Sequence, residues 1–150
     1  MDKVITWFNT KMRPHSQHLF NLIISRPDRA LKDSQKDDIE ELAEAVRNDL
    51  EHLHQGFHVL NEILASRRYL FSQEDVTYVD IILFHEISQI LCMAHNFRLS
   101  SRSDHFKKLN SIEPDFEENG DLKQYVNLYN WYHRALRESE IGKTLMKFDQ

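Results

Sequence analysis

Cysteine, glycine and proline are scarce in this chain. Its 150 residues include one Cys, three Gly and three Pro, while 29% are charged and few stretches alternate apolar with polar residues. The lone Cys92 cannot build a disulfide framework, which favours a reducing, cytoplasmic compartment. So few turn formers and so little alternation argue against a β-sandwich or barrel. We therefore expect an all-α protein, a helical bundle, in which residues 1–150 form a single domain.

The sequence also lacks the marks of export, of a membrane span and of a nucleic-acid surface. Asp2 and the absence of a small-residue cleavage site argue against a secretory signal. Residues 76–97 are long enough to cross a bilayer, but Asp80 and Glu86 within them would be costly in lipid. A net charge of -5 with scattered basic residues argues against nucleic-acid binding. We expect no membrane span and no nucleic-acid partner.

The chain is organised around residues 71–97, where a clear helix start meets the longest apolar run. Thr77 and Asp80 have the spacing of a capping box. In such a box the Thr hydroxyl accepts a backbone N–H from the third helical position, and the carboxylate accepts the Thr N–H. Apolar residues then cover nearly every side of a helical projection: Val79, Ile81, Ile82, Leu83, Phe84, Ile87, Ile90, Leu91, Cys92 and Met93. This pattern predicts a central helix that is buried on most faces.

Two helical patterns precede this segment. The first predicts a helix from Asp2 to about Ser25 that bends near residues 10–12 or divides there, because Pro14 lacks a backbone N–H. Its apolar stripe comprises Ile5, Phe8, Met12, His15, Leu19 and Leu22, while Val4, Trp7 and Ile24 suggest a second apolar surface.

The second pattern predicts a helix from Ser34 to about Tyr69. Its apolar seam repeats at alternating intervals of four and three: Ile39, Ala43, Val46, Leu50, Leu53, Phe57, Leu60 and Leu64. This spacing is typical of nearly antiparallel helix packing. A coiled-coil dimer is the alternative, but Gly56 beside the seam and the short partner segments favour an intramolecular bundle.

The last third of the chain is less regular. We expect a short helix over residues 104–109 and a loop over residues 114–120. From Asp121 a helical stripe resumes through Leu122, Tyr125, Val126, Tyr129, Tyr132 and Leu136, and a final amphipathic piece carries Ile141, Leu145, Met146 and Phe148.

The order of these pieces resembles the C-terminal helical domain of the glutathione transferase superfamily. In that family a Ser or Thr capping box with Asp opens the central helix, matched here by Thr77 and Asp80 and by the apolar run of residues 81–84. Residues 127–139 are similar to the family's late helix, matched by Leu128, Trp131, Tyr132 and Arg134. The usual Gly before the cap is replaced by the stretch SQED, so the resemblance is to a divergent member.

The resemblance implies that glutathione-dependent catalysis would need more than this helical domain. The family's enzymes bind glutathione mainly through an N-terminal thioredoxin-like half, and no such pattern precedes Asp2. The chain is therefore either a fragment of a longer protein or a solitary helical domain. We expect no cofactor, with glutathione bound only if a thioredoxin-like half is supplied, and no catalysis by this chain alone.

Candidate sites are few. The family builds part of its hydrophobic substrate site from the first helix, which marks Met12, His15, His18 and Leu22 as a possible ligand site. A core His15 bonded to a backbone carbonyl is the alternative. His54 and His58 lie one helical turn apart, close to Glu51 and Glu62, but no further ligand cluster supports a metal site. In the His85–Glu86 pair, Gln89 stands where a zinc protease needs its second His.

Two functions follow as hypotheses. The first is a non-catalytic module for protein–protein association or assembly, which binds a partner or a second copy through an exposed apolar face. The second is the helical half of a glutathione transferase, or a degenerate small-molecule binder, with a hydrophobic pocket on the first helix.

Overall fold

The computed structural model describes residues 2–21, 36–100 and 122–147, and within these ranges the protein is all-α, as predicted, with no strand. The predicted helix over residues 104–109 and the loop over residues 114–120 lie outside the described residues. The buried core joins side chains from every part of the described chain: Phe8, Met12, Leu19, Val46, Leu53, Phe57, Leu60, Leu70, Val79, Leu83, Ile87, Leu122, Leu128 and Trp131.

The first helical region is continuous, and it changes to a π-helical turn at the place where the sequence predicts a bend. Helix α1 spans Asp2–Trp7, a π-helical segment spans Phe8–Met12, and helix α2 spans Arg13–Phe20. Pro14 lies just after the π-helical segment, and its missing N–H leaves one carbonyl of the preceding turn without a helical donor. The Arg13 N–H donates to the Phe8 carbonyl, five residues back, which defines the π turn. Leu22 and Ile24 lie outside the described residues.

Helix α3 spans Lys36–Ile63 and carries the predicted seam. The seam side chains that the structure describes are all buried: Val46, Leu50, Leu53, Phe57, Leu60 and Leu64. Both α2 and the π-helical segment pack against α3. At Gly56 the approach is so close that an added Cβ would lie 2.6 Å from Met12 Cγ. Gly56 therefore allows the first helical region to reach the seam.

The predicted end of this helix near Tyr69 is wrong, since α3 stops at Ile63. After Ile63, backbone groups form hydrogen bonds with loop residues in place of the bonds that would continue the helix. The Ser72 hydroxyl accepts the backbone N–H groups of Glu74 and Asp75, each at 3.0 Å. The Tyr69 N–H donates to the Ser72 carbonyl at 3.0 Å. Residues 64–77 thus form an irregular connection, although Tyr69 and Leu70 are still buried in it.

Helix α4 spans Tyr78–Ser100, starting directly after Thr77 as predicted. Val79, Leu83, Ile87 and Ile90 are buried, but Ile82 is exposed. The helix is therefore buried on fewer faces than its composition suggests, because one stripe beginning at Tyr78 remains open to solvent. The side chains of Cys92 and Met93 lie outside the described residues.

The last part of the chain is a broken helix. A 3-10 turn spans Leu122–Gln124, helix α5 spans Val126–Asn130, a π-helical segment spans Trp131–Ala135, helix α6 spans Leu136–Glu138 and helix α7 spans Glu140–Met146. The predicted stripe here is partly wrong. Val126 is 62% exposed, whereas Leu128 and Trp131, which are not in the stripe, are buried. The stripe assumes one helix from residue 122, but the 3-10 turn and the non-helical backbone of Tyr125 (φ -106°, ψ 78°) interrupt it before α5 begins at Val126, so regular α-helical spacing fails across this break.

No helix in the described part of the chain combines the length and the apolar character needed to cross a bilayer.

Candidate functional site

The structure separates Met12 from the two histidines proposed to accompany it. Met12 is fully buried against Gly56, so its side chain fills space between α3 and the first helical region. His15 and His18, one turn apart on α2, instead turn toward α3. Leu22, the fourth residue of the proposed site, lies outside the described residues.

Both histidines bind one buried carboxylate. The side chain of Asp49, on α3, is 5% exposed. Its Oδ1 lies 2.8 Å from His15 Nδ1, and its Oδ2 is bonded to His18 Nδ1. Since an ionised carboxylate only accepts, each histidine donates from Nδ1, which leaves Nε2 as the nitrogen that can accept a proton. Asp49 thereby fixes the orientation of both rings.

A third histidine extends this cluster. The ring of His52 stacks on that of His15 with centroids 4.0 Å apart and planes 15° from parallel. Its Nδ1 donates to the backbone carbonyl of Asn48 at 2.7 Å. Lone pairs lie in the plane of an imidazole ring, so two parallel rings cannot point at one ion between them. In the residues that the structure describes, no group of three or more His, Cys, Asp or Glu side chains is arranged to hold a metal.

The hydroxyl of the neighbouring Ser16 bonds to groups other than these histidines. Ser16 is 2% exposed, and its Oγ bonds to the Glu86 carboxylate on α4 and to the Arg13 carbonyl at 3.1 Å. A nucleophilic hydroxyl would have to donate to a histidine nitrogen that acts as its base. Here the hydroxyl proton is directed to a carboxylate or a carbonyl. The cluster therefore joins α2 to α3 and α4 and has the geometry of a polar clamp.

Sequence reasoning missed Asp49 in this cluster, although a signal for it exists. Asp49 is three residues after Val46 and four before Leu53, both members of the buried seam. An acid that flanks a buried seam needs partners from the opposing helix. Two histidines three residues apart on the preceding helix could have been matched to it.

Asp80 is the second polar centre, and its carboxylate is fully buried. It accepts four hydrogen bonds, from Thr77 N at 2.9 Å, Thr77 Oγ1 at 2.8 Å, Leu70 N at 3.0 Å and Trp131 Nε1 at 2.9 Å. The arrangement differs from the expected capping box in one bond, because the Thr77 hydroxyl donates to the carboxylate. Asp80 thus joins the start of α4 to the irregular connection and to the late helical region, residues 122–146.

His54 is held inside the fold. Its Nδ1 lies 2.7 Å from the Tyr125 hydroxyl, and its ring packs against Phe57 and Tyr125. Burial raises the pKa of the Tyr125 hydroxyl above its ordinary value of 10.0. His58, one turn further along α3, is exposed, so the two histidines occupy different environments.

Depressions on the described surface include three that bear on binding. One of about 200 Å³ is lined by Val4, Ile63 and Phe71, and one of about 290 Å³ by Trp7, His52 and Val59. Both lie along the side of α1 that faces α3, where the sequence suggests a second apolar surface. A third, of about 560 Å³, contains three arginines and lies between the end of α3 and the late helical region.

Tyr78 and Ile82 form an exposed apolar pair at the start of α4. They are 48% and 39% exposed and one helical turn apart, so they lie on the same face. His85, one further turn along, is also exposed. This stripe is an open face on a helix whose other described side chains are buried or half-buried.

Comparison with known proteins gives one match. Residues 29–128 match the sequence profile of the family described as glutathione S-transferase, C-terminal domain. The match spans 100 of the 150 residues and includes α3, α4, Asp49, Thr77 and Asp80. No curated protein and no solved structure is significantly similar to the chain.

Proposed function

The chain belongs to the glutathione S-transferase C-terminal domain family, and from that premise we propose that it is a non-catalytic module for protein–protein association. The proposal takes residues 1–150 as one domain that binds a partner or a second copy through an apolar face. A cytoplasmic location, expected from the lone Cys92, belongs to the same proposal.

The exposed pair Tyr78 and Ile82 carries this proposal. Single exposed apolar residues are ordinary, but two large ones adjacent on a rigid helix offer a site where a partner can bury area. Tyr is also among the residues enriched in interface cores, because its ring is apolar and its hydroxyl can bond at the rim. Since α4 is fixed by the Asp80 bonds at its start, the pair is presented without a cost for ordering the helix.

The polar clusters support a non-catalytic role. Asp49 orients two histidines, but the nearby Ser16 hydroxyl bonds to Glu86. Asp80 is saturated by four donors that belong to the fold. Both carboxylates thus act in packing helices together.

A variant that removes the apolar pair tests the proposal. Sedimentation velocity would compare the wild type with Tyr78→Gln/Ile82→Gln over a concentration series, alone and in cell extract. We expect the wild type to form a larger species in at least one condition, and the double variant to sediment as a monomer in both.

Val126→Gln is the matched control, because Val126 is 62% exposed on another helix, and it should sediment like the wild type. Thermal unfolding would verify that all three proteins are folded. A monomeric wild type in both conditions, or an unchanged larger species in the double variant, would refute association through this face.

The second candidate is the helical half of a glutathione transferase or a degenerate small-molecule binder. The specific observation in its favour is the pair of depressions along α1, beside Val4 and beside Trp7. Their linings differ from the proposed set of Met12, His15, His18 and Leu22. We expect the purified chain neither to bind immobilised glutathione nor to conjugate thiols. Clear conjugation activity from this chain would favour the second candidate over the first.

A further inference from the structure

We propose that the arginine-lined depression binds a small, multiply charged oxyanion, of the class that includes phosphate esters and polycarboxylates. The depression lies between Arg67 and Arg68, which follow α3, and Arg134 in the late helical region. Glu138 is the one acidic residue in its described lining. The inference is independent of the apolar pair on α4.

Among the described residues, the three guanidinium groups make few hydrogen bonds, although that of Arg68 also lies 5.5 Å from the centre of the Tyr69 ring. Arg67 donates one bond, to the Leu70 carbonyl at 3.3 Å. Arg68 lies 3.8 Å from the Glu138 carboxylate, but their side chains are 52% and 67% exposed, so solvent screens this ion pair. Arg134 is exposed and makes no hydrogen bond or ion pair with any residue in the described ranges. Each guanidinium has five N–H donors, so most of these donors have no partner within the described ranges.

Oxyanions match this set of donors. A guanidinium presents two parallel N–H groups that fit the two oxygens of a carboxylate or phosphate. Asn130, which lines the same depression, adds an amide that can donate to a further oxygen. An anion with two charged groups could contact Arg68 on one wall and Arg134 on the other.

The floor of the depression is rigid. Trp131 lies at the floor and is 2% exposed, and its Nε1 donates to the buried Asp80 at 2.9 Å. The adjacent helix start is also fixed, because the Asn127 N–H donates to Asn61 Oδ1 at 2.9 Å. The walls that carry the arginines therefore stand on a preorganised base, which lowers the entropic cost of binding.

Size and charge favour a small anion over a large one. A volume of about 560 Å³ lies within the range typical of small-molecule sites. The described lining, with three arginines and one glutamate, carries a net positive charge, whereas the whole chain has a net charge of -5. The surrounding negative charge would repel a long polyanion, while a small anion can be held within the positive field.

Calorimetric titration of the folded chain with pyrophosphate and with citrate tests this proposal, with sodium chloride at equal ionic strength as the reference. We expect saturable binding of one anion per chain for at least one of the two probes. Arg68→Gln/Arg134→Gln should weaken that binding by about tenfold or more, since charge-assisted bonds are lost. The ratio of the two affinities distinguishes a phosphate site from a carboxylate site.

Two further variants make the result specific. Arg137→Gln removes the same charge from an exposed position on α6 that is not part of the described lining, and it should change the affinity by less than about twofold, because a solvated side chain outside the lining makes no direct bond to the anion. Glu138→Gln removes the competing carboxylate and should strengthen binding by a few-fold, a gain that misfolding cannot produce.

The proposal is overturned if neither probe binds saturably, if Arg137→Gln weakens binding as much as the double variant, or if only an acidic peptide binds.

Discussion

The indole nitrogen of Trp131 donates to the carboxylate of Asp80 at 2.9 Å, and both side chains are almost completely buried. The two residues are 51 positions apart in the sequence. Their bond fastens the late helical region to the start of α4, where the same carboxylate also holds Thr77 and Leu70. Because one carboxylate serves donors from three parts of the chain, its loss should affect stability much more than the loss of an ordinary helix cap.

Removal of the Asp80 carboxylate should cost far more than removal of the Thr77 hydroxyl. Thr77→Ala deletes one donor and should lower the free energy of unfolding by about 1 kcal/mol. Asp80→Ala leaves the buried donors of Trp131 and Leu70, and the half-buried N–H of Thr77, without an acceptor. Each buried donor costs roughly 1–3 kcal/mol, so we expect a loss of about 3 kcal/mol or more. Urea denaturation of both single variants and the double variant would measure this. The double variant should lose less than the sum, and equal single losses would contradict the role assigned to Asp80.

Gly56→Ala should be destabilising in the wild type and stabilising once Met12 is shortened. The new Cβ would lie 2.6 Å from Met12 Cγ and 2.7 Å from its Sδ. Overpacking costs about 1–3 kcal/mol, against a gain in helix propensity of about 1 kcal/mol. In a Met12→Ala background the clash is absent, so only the gain in helix propensity remains. Thermal denaturation of the four proteins would show this change of sign, with Gln55→Ala as a nearby control that should have little effect.

Asp49→Asn should destabilise the link between α2 and α3. The Asn amide keeps one oxygen that can accept a hydrogen bond from one histidine. Its NH₂ group faces the Nδ1–H of the other histidine, and because both groups are donors, that hydrogen bond is lost. We expect a loss of about 1–3 kcal/mol in the free energy of unfolding. Glu51→Gln, an exposed acid two residues further along the helix, should change it by less than about 0.5 kcal/mol. Similar chemical denaturation midpoints for both variants would show that the clamp does not contribute to stability.

Alkaline pH should weaken the fold partly through Tyr125. Burial raises the pKa of this hydroxyl in the folded state, so the folded state holds the proton more tightly than the unfolded state does. The resulting stability is fully present below the unfolded pKa, near 10, and is lost as the pH rises through the folded pKa.

Tyr125→Phe should therefore be less stable than the wild type at neutral pH, since the bond to His54 is lost, yet show a shallower loss of stability above about pH 10. Denaturation midpoints measured between neutral pH and about pH 11 would test this, with the exposed Tyr78→Phe as the control. A parallel decline of the wild type and Tyr125→Phe would contradict it.

Periodicity identified the long helices because their patterns are continuous. The four-three seam of α3 and the Thr77–Asp80 pair before α4 are local features, and the structure shows the described part of the seam and the pair, the latter with the Thr77 hydroxyl donating to the carboxylate. The end of α3 was misplaced because the apolar residues Tyr69 and Leu70 continue the helical pattern, while their actual bonds run to Ser72 and to Asp80. Burial and helicity are separate properties, and an apolar pattern reports burial.

The polar centres were harder to predict because their partners are distant in the sequence. Thr77 and Asp80 are recognisable as a local pair, but nothing near Asp80 indicates Trp131. Likewise, His15 appeared as a possible ligand group because Asp49 lies 34 residues away. The arginine-lined depression was missed for the same reason, since Arg67 and Arg134 become neighbours only when α3 packs against α5.

The π-helical segment at Phe8–Met12 also sets the rotation of α1 relative to α2. Its i→i+5 bond winds one residue more into a turn than an α-helix does, so it is equivalent to a one-residue insertion within a continuous helix. Each residue turns an α-helix by about 100°. Deleting one residue from this segment would therefore rotate α1 by about that angle relative to α2, and would carry Val4 and Trp7 away from the depressions that they line. Relatives with and without this extra residue would present different N-terminal faces on the same core.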